Sequence, residues 1–165
     1  MMNDYNVFSL TEQSHRNIII QGFNGTGKTR FALEFAELQH VFYDKVYYFM
    51  GTDLGKLKGI QDSLIIVDDL DYFFDKRAWN EKQQKVHMKT LSKLLSRTRH
   101  NGNSYIMISR INEINSFLVG KSAIFIYLRP IGRFFVKYTI VDLTNYKITG
   151  IIMDLRKLPS SRGLP

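Results

Sequence analysis

Cysteine is absent from the 165-residue chain. That excludes a disulfide framework and any thiolate metal site. Long apolar runs are absent too: none approaches the ~20 residues that a membrane-crossing helix needs. The start, Met1-Met2-Asn3-Asp4-Tyr5, lacks the basic opening and apolar stretch of a signal peptide, so cytoplasm is the expected location. Internal repeats and low-complexity linkers are missing, and the length suits one domain with a real core. The four histidines (His15, His40, His87, His100) are scattered without metal-ligand spacing and read as surface or structural. Acid is in short supply, with 15 acidic residues against 23 basic ones and a formal net charge of +8. Such an excess fits a partner of negative charge, nucleic acid first and an anionic membrane surface second, or serves solubility alone.

What is present is an alternation of short apolar runs and helical patterns. The runs are Arg16–Gln21, Lys45–Met50, Ser63–Val67, Ser104–Ile108 and Ala123–Leu128. Their near-continuous hydrophobicity predicts parallel strands buried on both faces. Helices are predicted over Lys28–Gln39, about Asn80–Thr98, and near Asn112–Leu118. Only Gly51–Asp62 links the second strand to the third, room for a turn of helix at most. After Leu128 the pattern changes to alternation over Arg133–Val141 and Lys147–Leu155 around Thr144-Asn145-Tyr146. That predicts an antiparallel hairpin on one edge of the sheet. The expected architecture is an α/β domain over 1–157, a mainly parallel central sheet flanked by helices and extended by a C-terminal hairpin (133–155). A flexible tail at 158–165 completes it.

Charge is unevenly placed. Lys76, Arg77, Lys82, Lys85, Lys89, Lys93, Arg97 and Arg99 stand against the single acid Glu81. At 100° per residue Lys82, Lys85, Lys89, Lys93 and Arg97 are assigned one arc of the second helix, and Val86, Leu91, Leu94 and Leu95 another. The basic arc is either a solvated face or a contact for a phosphate backbone. Just before it lies an acidic cluster, Asp62, Asp68, Asp69, Asp71 and Asp75, which suits a metal.

The chemistry concentrates in Gly22-Phe23-Asn24-Gly25-Thr26-Gly27-Lys28-Thr29. This is G-x-x-x-x-G-K-[ST], the phosphate-binding loop. Its glycines let successive N–H groups point at a phosphate, and the following helix adds its positive N-terminal end. Asn17-Ile18-Ile19-Ile20 before it and Arg30–Leu38 after it give the confirming order of strand, loop and helix. Lys28 is expected to reach the β- and γ-phosphates of ATP, with Arg30 beside the loop, and Thr29 to hold Mg²⁺. Ser63-Leu64-Ile65-Ile66-Val67-Asp68-Asp69, an apolar strand ending in two acids, is the Walker B pattern. Asp68 is expected to bind Mg²⁺, directly or through water. Asp69 is expected to position or deprotonate the attacking water, with Asp71 as the fallback base. Ser109, ending Tyr105-Ile106-Met107-Ile108-Ser109 with Arg110 beside it, is a candidate sensor of the γ-phosphate. Arg97 and Arg99, at the end of the basic helix, either complement its dipole or serve as an arginine finger in a neighbouring subunit's site.

Taken together, these segments resemble the FtsK/HerA-like branch of P-loop ATPases, and within it the small genome-packaging ATPases of viruses and phages. The resemblance spans about Asn17 to Arg129. It rests on the two Walker elements, on Arg97-Thr98-Arg99-His100 for an Arg-x-Arg-His-like signature, and on the two strands Tyr105–Ser109 and Ala123–Arg129. Many members carry glutamine at the sensor position and glutamate as the second Walker B acid, where this chain has Ser109-Arg110 and Asp69. The resemblance implies a homo-oligomeric ring of five or six subunits that moves double-stranded DNA through a central channel. The basic helix or the hairpin loop would face the DNA. A portal, procapsid or replication protein would be the docking partner, and host cytoplasm the location if the chain is viral.

Three other functions share parts of this pattern. An AAA+-like initiator or helicase loader would add a helical lid after Leu128, where the sequence reads as strands. A filamentous-phage-type assembly ATPase generally carries a membrane-spanning segment. A small-molecule kinase needs an acceptor-binding lid, and Gly51–Asp62 shows no such insertion.

Overall fold

The structure, a computed structural model, describes residues 17–70, 81–110, 124–143, 147–154 and 156. Seven strands among them form one sheet: β1 (Asn17–Gly22), β2 (Lys45–Met50), β3 (Ser63–Asp68), β4 (Ser104–Ser109), β5 (Ile124–Ile131), β6 (Phe135–Asp142) and β7 (Lys147–Asp154). Their order is β2-β3-β4-β1-β5-β6-β7. The first five run parallel, and β6 and β7 add on in antiparallel pairing. A mainly parallel sheet with an antiparallel extension on one edge is the architecture expected from the sequence.

Two helices cover the parallel half from opposite sides. Helix α1 (Lys28–Gln39) sets Phe31, Ala32, Phe35 and Ala36 on Ile18, Ile20, Ile66, Ile106 and Ile108. Those four helix residues fall at i, i+1, i+4 and i+5, one stripe of a 3.6-residue period. Helix α2 (Glu81–Ser96) sets Leu91 and Leu95 on the other face, against Ile19, Ile65, Met107 and Phe125. With helices on both sides, β1 and β4 are buried along their whole length. Continuous apolar runs are the composition such strands need. The chain between β2 and β3 carries a 3-10 helix, Gly51–Leu57, whose Leu57 is buried in the α2-side core.

Four expectations need correction. Strand β2 is not buried on both faces. It forms the sheet edge, and Val46, Tyr48 and Met50 project from it exposed. Val86 does not share the apolar arc of α2. It lies about 140° from Leu91 at 100° per residue, among the lysines, and is 57% exposed. The basic helix ends at Ser96, and a short helix α3 (Thr98–Asn101) follows. Strand β5 runs past Leu128 to Ile131, and β6 starts at Phe135, because Gly132 takes a left-handed turn (φ 64°) between them. The helix expected near Asn112–Leu118, the turn at Thr144-Asn145-Tyr146, Asp71, Asp75, Lys76 and Arg77, and the tail 158–165 lie outside the described residues.

Candidate active site

The C-terminal ends of β1, β3 and β4 meet at one edge of the sheet, and the phosphate-loop sequence leaves β1 there. Gly25 and Gly27 have φ of 75° and 83°, a left-handed backbone that glycine adopts without steric cost. The Thr26 hydroxyl donates to the Phe23 carbonyl at 2.8 Å, closing the turn from inside. Gly22 is required for a different reason. A Cβ there would stand 2.7 Å from Thr26 Oγ1 and 2.8 Å from the Leu128 carbonyl oxygen. Helix α1 starts at Lys28 with Gly27 before it, which has no side chain to cap the first turn. Its leading N–H groups therefore face the loop's concavity, the usual arrangement at an anion site. The Lys28 ammonium donates to the Gly22 and Phe23 carbonyls, 2.9 Å each, which fixes its charge at the mouth of the loop.

Asp68 ends β3 directly opposite. Its Oδ2 accepts the Thr29 hydroxyl at 2.7 Å and the Tyr48 phenol at 2.6 Å, and its Oδ1 accepts the Asp69 N–H at 2.7 Å. Three donors from three segments hold one carboxylate. Asp69 itself sits at φ 54°. That conformation costs a non-glycine residue of order 1–3 kcal/mol and clusters at functional sites. The Leu70 N–H donates to the Ile108 carbonyl at 3.0 Å, tying the chain after Asp69 to the end of β4. Beside it Ser109, buried, donates its hydroxyl to the Arg110 carbonyl at 3.0 Å. Asn24, Lys28, Thr29, Asp68, Asp69 and Ser109 line one cleft of about 260 Å³, together with Met50, Ile108 and Arg110.

Comparison with solved structures finds the same fold elsewhere. The chain is similar to the N-terminal domain of zonular occludens toxin from Neisseria meningitidis, at 15% identity and TM-score 0.61, over 88% of this chain and 96% of that one. It is similar to the genome packaging NTPase B204 of Sulfolobus turreted icosahedral virus 2, solved with sulfate, at 10% identity and TM-score 0.57, over 84% and 96%. B204 of Sulfolobus turreted icosahedral virus, described as a DNA-packaging ATPase, matches at 11% identity and TM-score 0.56, over 83% and 97%. No protein-family model and no curated protein matches the chain. The fold is that of a P-loop NTPase.

Within that P-loop NTPase fold, β4 separates the loop strand β1 from the Walker B strand β3. This places Ser109, at the end of β4, between Lys28 and Asp69 in the cleft. Arg30 does not join them. Its Nε donates to Glu34 at 3.1 Å on the same helix, and its charge acts on Tyr138 of β6. The helix rotation that aims Thr29 at Asp68 turns the next residue about 100° away. Arg97 and Arg99 also lie elsewhere. Asn101 of α3 accepts the Asp62 N–H just ahead of β3, and Asn103 binds Ser63 and Ile60. Both arginines therefore sit at the opposite edge of the sheet, a six-residue strand or about 20 Å from this chain's own cleft. Arg97 is exposed.

Thr29 and Asp68 fit a Mg²⁺ site. Their oxygens stand 2.7 Å apart, close to the spacing of two adjacent ligands in an octahedron with Mg–O of about 2.1 Å. Among the described residues no cluster of three His, Cys, Asp or Glu could cage a metal. That suits an ion held by one or two protein oxygens, phosphates and water.

Sequence reasoning missed Tyr48. It comes from the edge strand, and burial, then the hydrogen bond to Asp68, then the charges of Asp68 and Asp69 push its phenol upward. It stays a protonated donor throughout the ordinary pH range. The signal was present only as register: Met50 pairs with Asp68 and Tyr48 with Ile66. That register exists once β2 is known to neighbour β3.

Proposed function

We propose that the chain is an ATP-hydrolysing motor that moves double-stranded DNA, in the manner of a viral or phage genome-packaging ATPase. The carrying observation is the convergence of Lys28, Thr29, Asp68, Asp69 and Ser109 on one cleft at the uncapped N-terminus of α1.

The loop N–H groups and Lys28 bind the β- and γ-phosphates, and Asn24 lies at the cleft's rim. Thr29 and Asp68 would hold Mg²⁺, which would neutralise phosphate charge. Tyr48 and the Asp69 N–H keep the Asp68 carboxylate aimed at that position. Asp69, free of the strand and strained toward the cleft, orients the water and takes its proton. The Ser109 hydroxyl, on the strand between the two Walker elements, reads the γ-phosphate. At about 20 Å from this chain's own cleft, an arginine finger would have to act in trans. Arg97 or Arg99, at the far edge, completes the site of the next subunit in a ring, where such a group is worth roughly 10³–10⁵ in rate. Lys82, Lys85, Lys89 and Lys93 of α2, and Arg97 just after it, are all exposed and supply the contact with phosphate backbones.

The strands after Leu128 support the motor over an AAA+-like loader, because β5 to β7 continue the sheet where a helical lid would stand. The filamentous-phage-type assembly ATPase remains the alternative of similar scaffold.

ATP turnover by the purified protein, across a protein concentration series with and without double-stranded DNA, tests the proposal. Turnover that rises with both DNA and protein concentration is expected. Turnover indifferent to both would leave an NTPase and remove the motor.

A further inference from the structure

Among the described residues the α2-side core ends at Phe125 of β5 and Val141 of β6. Beyond them Tyr127, Arg129 and Ile131 of β5, Phe135 and Lys137 of β6 and Ile152 of β7 are exposed on the same face. The register places its side chains in cross-strand rows. Tyr127 pairs with Thr139 and then Gly150; Arg129 with Lys137 and then Ile152; Ile131 with Phe135 and then Asp154. Arg129, Lys137, Tyr127 and Phe135 are all exposed.

The middle row is the informative one. Arg129 and Lys137 are directly opposite residues of an antiparallel pair, and like charges there are destabilising. Among the described residues neither has a carboxylate within ion-pair distance. Gly150 leaves the floor open, and a Cβ added there would meet Lys137 Cε at 3.5 Å, so the far end of the lysine lies across β7. Aromatic rings flank the two cations along the strands, Tyr127 on one side and Phe135 on the other. At the turn Arg133 lies 5.5 Å from the Phe134 ring centroid, and Arg156, ion-paired to Asp154 at 2.7 Å, lies 4.9 Å from Phe134 and 5.6 Å from Phe135.

We infer that this face binds a single strand of nucleic acid, with phosphates on Arg129 and Lys137 and bases against Tyr127 and the Arg156 guanidinium that lies over Phe135. A strand supplies both complements at once, an anion for the uncompensated cation pair and flat rings for the aromatics. A membrane surface fits less well. Cations on a lipid-facing patch stand at its rim, where they reach the headgroups, and here they form the centre row. The face is also placed to respond to the cleft. Leu128 pairs with Gly22 of the phosphate loop and touches it, and Arg129 is the next residue. The inference rests on the motor reading for that coupling and for nucleic acid as the partner; the single strand and the surface are carried by the hairpin's residues.

The test is fluorescence anisotropy of labelled oligo-dT and of a labelled duplex, with the full chain, as wild type, Lys137→Glu, Tyr127→Ser, and the helix variant Lys85→Ala/Lys89→Ala/Lys93→Ala. Lys137→Glu turns the repelling pair into an opposite-charge pair. Its thermal midpoint is expected to hold or rise while oligo-dT affinity falls at least tenfold and the log–log salt slope flattens, by roughly 0.7 for each phosphate no longer neutralised. Tyr127→Ser is expected to weaken oligo-dT several-fold without changing that slope. Wild-type oligo-dT affinity in both hairpin variants would overturn the inference, and loss of duplex binding in the helix variant alone would then leave the motor reading standing. No binding of either nucleic acid by wild type would overturn both. Binding of phosphatidylserine vesicles, but not of oligo-dT, that Lys137→Glu abolishes would assign the face to a membrane and overturn the inference.

Discussion

The parallel half of the sheet and its antiparallel extension are built from similar amounts of apolar residue, yet they use it differently. In β1, β3 and β4 every apolar residue is buried, because α1 and α2 lie on the two faces. In β6 only alternate residues are: Val136, Tyr138 and Ile140 face the α1-side core, and Phe135 and Lys137 face out. On β7 the outward residues Ile148 and Ile152 are 73% and 64% exposed. Cover, rather than composition, decides what a strand's residues are for. Where both faces are covered, the only chemistry is at the strand ends, and the cleft is there. Where one face is uncovered, the face itself is available.

Truncating one isoleucine in each half of the sheet separates the two most strongly. Ile106→Ala removes a fully buried side chain from β4 and is expected to cost about 2–5 kcal/mol. Ile152→Ala is expected to stay within roughly 0.5 kcal/mol. Thermal or urea unfolding decides it, and equal losses would mean that the hairpin's open face is packed in solution. Two glycines make the next contrast. Gly22→Ala forces a Cβ against Thr26 and the Leu128 backbone and is expected to cost about 1–3 kcal/mol, with nucleotide affinity lost in a titration calorimeter. Gly150→Ala meets only the far end of a flexible lysine and is expected to be neutral or slightly stabilising, since glycine weakens a strand interior.

Tyr48→Phe sharpens the edge strand's part in the site. The Asp68 carboxylate would lose one of its three donors, and partners of this kind are worth about 10–100-fold in metal affinity. A Mg²⁺ titration of turnover, and of Mn²⁺ binding by electron paramagnetic resonance, is expected to shift at least tenfold with the thermal midpoint nearly unchanged. The smallest effect concerns the covered face of the hairpin. Burial, then the Glu34 charge, push the Tyr138 phenol up to about 12. The fold therefore holds it neutral, and that stability is fully present below pH 10 and lost as pH rises toward 12. Between pH 10 and 11 wild type is expected to lose about 1 kcal/mol more than Tyr138→Phe in urea unfolding.

Much of this was legible in the chain, for reasons that can be named. Gly22–Thr29 announces itself because its backbone demands glycine at fixed spacing, and the strands announce themselves because burial on two faces leaves no polar positions. The sequence also placed Asp68, Asp69 and Ser109 at strand ends. What it could not show was neighbourhood. Tyr48 acts on Asp68 only because β2 lies beside β3, and nothing local to Lys45–Met50 marks it as an edge. Arg30 looked like part of the loop because it follows Thr29, and the helix rotation takes it to Glu34. Val86 was assigned to the core by its chemistry, against its own angle on the helix.

The cleft between the phosphate loop and Asp68 is expected to bind and hydrolyse Mg·ATP. Phosphate release from Mg·ATP by wild type and Lys28→Ala, at matched concentrations and with nucleotide binding measured in parallel, tests it most directly. Turnover is expected in wild type, with a loss of roughly 100-fold or more in the variant, the scale of removing one transition-state donor. Equal turnover in both proteins, or a wild type that binds no nucleotide, would contradict it.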